Sequence, residues 1–170
     1  MNTYMTLQEA LDAPVSKFTV VRNNSSNDSS WDTISNIPQG YIIDGNELTS
    51  LRVHGDANIG FNSNTKHFRA NEVDGRSLYV YYEIGSIGVS EFIRVRWKGH
   101  THYRDASTQY ALDFDFFIFK SGLIFINLYT APTDRITGSK GLYLSTESIP
   151  YVCDSKPLMF YYESMNPSIS

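Results

Sequence analysis

Cysteine is nearly missing from this chain: Cys153 is the one cysteine in 170 residues. A single thiol excludes an intrachain disulfide framework and a cysteine-based zinc site. Charge is also scarce, with Asp, Glu, Lys and Arg at 19% against the roughly 25% usual for soluble domains. Lys and Arg number 14 and Asp and Glu 18, so the net charge is −4. A nucleic-acid binder needs clustered basic residues to neutralise phosphate, and this balance argues against one. No apolar run approaches the ~18 residues of a membrane span. The opening residues Met1-Asn2-Thr3-Tyr4 lack the charged and apolar regions of a secretory signal. No P-loop, dinucleotide fingerprint or G-x-S-x-G elbow occurs, and no cofactor is implied.

Aromatic residues, by contrast, are abundant: 12 Tyr, 10 Phe and 2 Trp, or 14% of the chain. A chain this long buries roughly two thirds of its unfolded surface, enough for one substantial core. The expected organisation is an N-terminal anchoring segment over 1–30 and a β-sandwich domain over 31–170. Thr6-Leu7-Gln8-Glu9 fits a capping box, and a short helix from Leu7 to Asp12 stops before Pro14. Two helical turns are marginal alone, so this helix must dock on something. Lys17 to Arg22 reads as a strand. Asn23 to Ser30 is a polar tract, and its Asn-x-Ser sequons at Asn23, Asn24 and Asn27 read as linker.

From Trp31 onward, short apolar or alternating runs are separated by Gly, Asn, Asp and Ser. Candidate strands are Gly40–Ile43, Leu48–His54, Ile59–Phe61, His67–Ala70, Ser77–Ile84, Glu91–Lys98, Gln109–Phe119, Leu123–Thr130, Gly141–Ser145, Tyr151–Cys153 and Leu158–Glu163. So many strands predict an all-β antiparallel sandwich, jelly-roll or lectin-like, with one short N-terminal helix.

The stretch from Glu91 to Thr130 is the most informative. One face of its first strand carries Ile93, Val95 and Trp97, and the other carries Phe92, Arg94, Arg96 and Lys98. The next strand sets Leu112, Phe114, Phe116 and Ile118 against Asp113, Asp115, Phe117 and Phe119. Pairing Arg96 with Asp113 and Arg94 with Asp115 keeps charge with charge and core with core. Lys120-Ser121-Gly122 then makes a three-residue hairpin turn, pairing Ile118 with Ile124, Phe116 with Ile126 and Phe117 with Phe125. The outer face of this meander is left with Phe92, Phe117 and Phe125. Such a patch calls for cover by another segment or by a partner subunit, and these three are the candidate interface residues.

Asp113 and Asp115 have the proximity of a glycosidase carboxylate pair, but the Arg opposite each lowers its proton affinity, so ion pairing is the preferred reading. His100-Thr101-His102 has a metal-ligand spacing if His54, His67 or Asp105 converges; exposed loop histidines are the commoner case, and no metal is assigned. His54-Gly55-Asp56 and Asp74-Gly75-Arg76 read as turns, and Ser63 lacks an elbow. Cys153 reads as a buried thiol. The candidate binding residues are His100, His102, Tyr103, Arg104 and Asp105 in the loop Gly99–Thr108, with Tyr79 and Tyr81 on one face of their strand. Aromatic rings with a polar tip suit sugar stacking or subunit contact.

Leu51-Arg52-Val53-His54-Gly55, Ile59-Gly60-Phe61-Asn62-Ser63-Asn64, Phe92–Gly99 (FIRVRWKG) and Tyr110–Asn127 (YALDFDFFIFKSGLIFIN) together resemble β-sandwich modules of bacteriophage and prophage structural proteins. The pattern is similar also to nidogen- or lectin-like sandwiches. The resemblance covers residues 48–130, and it implies a virion or tail-fibre-like role, or glycan recognition, with no enzyme activity; the favoured reading is a non-enzymatic structural or adhesion subunit of a phage-like particle that contacts host surface glycan. The implied partners are further copies of the chain and other virion proteins, with no nucleic acid and no membrane. The alternative is an extracellular carbohydrate-binding module of a bacterial surface protein, and a third reading is a hydrolase using Asp113 or the His pair.

Overall fold

A computed structural model describes residues 1–23, 31–43, 45–62, 65–70, 76–102, 105–134, 136–145, 150–153 and 159–163. The Asn24–Ser30 part of the expected linker, Ser63, Asp74-Gly75, Tyr103 and Arg104 lie outside them. The chain runs through β1 (Asn2–Tyr4), α1 (Leu7–Asp12), a 3-10 turn (Val15–Lys17), β2 (Thr19–Arg22), β3 (Trp31–Ile34), β4 (Ile42–Ile43), β5 (Asn46–Glu47), β6 (Leu51–His54), β7 (Asn58–Phe61) and β8 (Thr65–Ala70). There follow β9 (Arg76–Ile87), β10 (Ser90–His100), a second 3-10 turn (Thr108–Tyr110), β11 (Ala111–Phe119), β12 (Leu123–Thr130), β13 (Leu142–Ser145), β14 (Pro150–Cys153) and β15 (Met159–Glu163).

The fold is the expected all-β sandwich. One sheet has the order β1-β9-β10-β11-β12-β15, with β2 also on β9; the second has the order β14-β13-β8-β7-β6-β3. Period-2 alternation explains what lies between them. Leu78, Val80, Ile93, Val95, Trp97, Leu112, Phe114, Phe116, Ile118, Ile124, Ile126 and Leu128 of the first sheet share a core with Leu51, Val53, Ile59, Phe61, Phe68 and Ala70 of the second. Trp97 stacks on Phe114 at 4.9 Å, and its indole N–H donates to the His54 carbonyl at 3.1 Å. That bond satisfies the polar end of a buried ring and ties the two sheets together.

The β11–β12 hairpin follows the expected register: Ile118 opposite Ile124, Phe117 opposite Phe125, Phe116 opposite Ile126, Asp115 opposite Asn127 and Phe114 opposite Leu128. Gly122 takes φ 95° at its turn, a conformation that a side chain disfavours. The β10–β11 register is a correction. The main chain pairs Arg96 with Asp115, Trp97 with Phe114 and Lys98 with Asp113, two residues from the expected alignment. A two-residue shift keeps every side chain on its face, so alternation cannot detect it. The expected ion pairs form nonetheless, along the diagonal. Arg96 Nε donates to Asp113 Oδ1 at 2.8 Å, and Arg94 Nε and Nη2 donate to Asp115 at 3.0 and 2.8 Å. Arginine is long enough to reach past its direct neighbour.

The second face of the first sheet is also half-covered, by the chain itself. Half of the capping box is present: Thr6 Oγ1 accepts from the Glu9 N–H at 3.1 Å, whereas Glu9 Oε2 reaches one residue further back and accepts from the Met5 N–H at 2.9 Å. α1 lays Ala10 against the sheet, and Tyr4, Ala13 and Phe18 join it over Phe92, Phe117 and Phe125. Phe92 and Phe117 are fully buried, and Phe125 is 1% exposed. Of the two expected forms of cover, another segment of the same chain is the one found, so these three residues offer no open subunit interface. The N-terminal segment is correspondingly docked on its own sheet rather than held out towards neighbours. β1 and β2 share one edge of β9: β2 runs antiparallel along Val80–Tyr82, and β1 runs parallel along Gly85–Ile87.

Candidate functional site

The outer face of the first sheet carries the unusual chemistry. Its apolar end lies under the N-terminal segment, its middle is a buried ionic cluster, and its far end is open. In the middle, Arg94 is fully buried and every N–H of its guanidinium is used. Nη1 donates to the Ala10 carbonyl at 2.6 Å and to Glu83 Oε2 at 3.1 Å. Nε and Nη2 hold Asp115, and Nη2 also donates to the Tyr129 hydroxyl at 3.1 Å. The ring faces of Phe18 and Phe117 lie 4.7 and 4.8 Å from the guanidinium carbon, the cation–π geometry of a desolvated arginine.

Glu83 lies opposite Arg94 on β9. Its Oε1 accepts from Asn2 Nδ2 at 2.9 Å and from the Tyr4 hydroxyl at 2.5 Å. The Tyr129 hydroxyl lies 2.7 Å from the Leu11 carbonyl and 2.5 Å from Asp115 Oδ2. Burial pushes the Tyr4 and Tyr129 phenols well above the ordinary tyrosine range, and neighbouring carboxylates add to it. Burial alone would depress Arg94, but the bonds and charge of Asp115 more than reverse this. Burial raises Asp115, and Arg94 only partly opposes it.

At the open end, Tyr79 and Tyr81 are half-buried and stacked on each other, with ring centroids 6.0 Å apart and ring planes 8° from parallel. β10 places Arg96 opposite Tyr81 and Lys98 opposite Tyr79. Arg96 is clamped by Asp113, which accepts from Nε and Nη2 at 2.8 and 2.9 Å, and its guanidinium carbon lies 4.2 Å from the Tyr129 ring. Lys98 is exposed. The result is a stacked tyrosine pair, Tyr81 also packing against the N-terminal cluster, with the clamped Arg96 and the exposed Lys98 beside it.

The loop beyond Lys98 is built locally. His102 and Asp105 form a two-residue bridge, the His102 ring lies 5.2 Å from the Tyr110 ring, and Asp105 Oδ1 accepts from the N–H and hydroxyl of Ser107 at 2.9 and 2.5 Å. His100 sits at the end of β10, opposite Ala111, and among the described residues its buried Nδ1 has no hydrogen-bond partner. Among the described residues no three His, Cys, Asp or Glu side chains converge as metal ligands. His54 Nδ1 instead accepts from the Asp56 N–H at 3.0 Å inside the expected turn.

Alternation brought Tyr79 and Tyr81 together correctly. It missed Glu83, Tyr4 and Tyr129 as partners of Arg94. The signal for Glu83 was a carboxylate at the next odd-numbered position after Tyr79 and Tyr81, hence on the same face and facing a basic strand. No family model, no curated protein and no solved structure matches the chain.

Proposed function

We propose that the protein is a non-enzymatic adhesion and structural subunit of a phage-like particle, and that it contacts host-surface glycan through the open end of its outer sheet face. The parallel pair of Tyr79 and Tyr81 carries this reading. Flat rings with polar tips on rigid strands stack against the apolar face of a sugar without rearranging. Arg96, Asp113 and Lys98 flank the rings and supply donors and acceptors for hydroxyl groups. His100 lies two residues beyond Lys98 at the end of β10, and His102 and Asp105 follow it.

The carboxylates of this face do not favour acid–base chemistry. Asp113 is held by Arg96, Asp115 by Arg94 and Tyr129, and Glu83 by Arg94, Asn2 and Tyr4. The phage-like setting rests on the sequence pattern over residues 48–130. Cover of the Phe face within one chain removes the main reason for expecting an obligate partner there.

A glycan array, followed by titration calorimetry on each hit, tests the binding. Tyr79→Ala should weaken binding at least tenfold at unchanged melting temperature, and Tyr79→Phe should retain it. Absence of binding to any glycan, or binding indifferent to Tyr79, would remove the proposal.

A further inference from the structure

The hydrogen bonds around Tyr129 require more protons than the ordinary ionisation states supply. Its hydroxyl oxygen lies within hydrogen-bond distance of three groups: Arg94 Nη2 at 3.1 Å, the Leu11 carbonyl at 2.7 Å and Asp115 Oδ2 at 2.5 Å. Arg94 is a donor. The other two are acceptors when Asp115 is ionised, and a phenol has one proton to give. With Asp115 ionised, one of the two short oxygen–oxygen contacts would hold no proton. With Asp115 protonated, the phenol donates to Leu11 and accepts from Asp115 and Arg94, and every contact is satisfied.

The charge of the salt-bridged cluster is compatible with one added proton. Two guanidiniums, Arg94 and Arg96, face three carboxyl groups, Glu83, Asp113 and Asp115, in one connected cluster. Ionising all three leaves a surplus negative charge next to groups that water does not reach, an expensive arrangement. One added proton makes the sum of these five groups zero; Lys98, opposite Asp113 on β10, is exposed and stands outside these salt bridges. Glu83 accepts from Asn2, Tyr4 and Arg94, and Asp115 also faces three donors, Arg94 Nε, Arg94 Nη2 and Tyr129; what sets Asp115 apart is that its phenol partner has a second acceptor in the Leu11 carbonyl. Asp113 is partly solvated and takes both donors of the Arg96 fork.

We propose that Asp115 holds a proton on Oδ2 in the folded protein, donated to the Tyr129 hydroxyl, and that this proton latches α1 by freeing the phenol to bond the Leu11 carbonyl. The groups facing it are Arg94 and Arg96 from β10, Glu83 from β9, Tyr129 from β12, Tyr4 from β1, Asp113 on its own strand and the Ala10 and Leu11 carbonyls from α1. Glu9 and Asp12 of α1 are exposed, and bond Met5 and Gln8 instead. Burial pushing the Asp115 carboxyl upward agrees with the geometry.

The sign follows from linkage. The folded state binds a proton that the unfolded chain releases near the ordinary aspartate value of about 4. The latch therefore contributes fully below that value, and its contribution is lost as pH rises through the folded-state pKa. Above it, Asp115 claims the phenol proton and the Leu11 carbonyl loses its donor.

The test is carboxyl-carbon NMR and amide hydrogen exchange on the intact chain across a pH series. Asp115 should keep the acid-form shift at a pH where Asp113 shows the carboxylate form, and the signal should be absent from Asp115→Asn. Exchange at Ala10 and Ala13 should accelerate as Asp115 ionises, beyond the intrinsic base dependence. In Asp115→Asn, which keeps a donor facing Tyr129, that extra acceleration should vanish, as it should in Tyr129→Phe, where no latch can form. A carboxylate-form Asp115 throughout the series in the unaltered protein would overturn the proposal, and so would the same extra acceleration in either variant.

Discussion

Arg94 Nη1 donates to the carbonyl oxygen of Ala10 at 2.6 Å, joining the middle of β10 to the last turn of α1. A helix end leaves carbonyls unsatisfied and carries partial negative charge, and a buried cation answers both needs. The same guanidinium holds Glu83 and Asp115, so one side chain fastens the N-terminal segment to three strands.

Replacing Arg94 by Met should therefore destabilise the protein by about 3–5 kcal/mol, because it strands two buried carboxyl groups and frees a helix end. Urea denaturation checks this. A loss below about 1 kcal/mol, the scale of an exposed pair, would mean that the cluster is solvated.

Arg96 and Asp113 are partly buried and bidentate. A double-mutant cycle with Arg96→Ala and Asp113→Ala should give a coupling of about 1 kcal/mol or more. Exchanging the two charges should be tolerated better than either single neutralisation. A coupling between Arg96 and Asp113 that does not exceed the one between Arg96 and Asp115 would contradict the diagonal geometry.

A methyl group at Gly85 would sit 2.7 Å from Phe92 Cζ and 2.9 Å from the Asn2 carbonyl. Gly85→Ala should cost about 1–3 kcal/mol and loosen β1 selectively. Faster amide exchange at Tyr4 with unchanged exchange in β11 would show this, and equal loosening of both strands would argue against it.

Ala10 is completely buried over the Phe92, Phe117 and Phe125 patch. Ala10→Glu should lift the N-terminal segment while leaving the sandwich folded. Binding of a hydrophobic dye should rise and the far-ultraviolet β signal should persist. Loss of both tertiary and β signal at once would mean that the segment and the sandwich fold as one unit.

The strand pattern was legible because each half-buried strand alternates and each turn carries its own residues. The β11–β12 register was legible for a local reason, since the Lys120–Gly122 turn fixes which residues meet. β10 and β11 are joined by a long connection, so only face parity was readable, and the alignment fell two residues away. Stacking of Trp97 on Phe114 accompanies the alignment found, and spacing alone does not reveal such contacts. The three strands missed, β1, β3 and β5, are two to four residues long, too short for alternation to show. The Tyr79–Tyr81 pair followed from parity, whereas the reach of Tyr4 and Tyr129 into the Arg94 cluster depends on long-range packing that no local pattern encodes.

The donor and acceptor groups that fix α1 are far apart along the chain: Arg94 lies 84 residues after Ala10, and Tyr129 lies 118 residues after Leu11. A six-residue helix does not persist in water unaided. The helix precedes β12 by more than a hundred residues, and the surface that stabilises it is complete only when β12 has joined the sheet. Until that loop of more than a hundred residues closes, Phe92, Phe117 and Phe125 face solvent, and long-range closure of this kind is slow. The segment that shields the face most prone to association is thus held by residues far along the chain, and its docking waits on theirs.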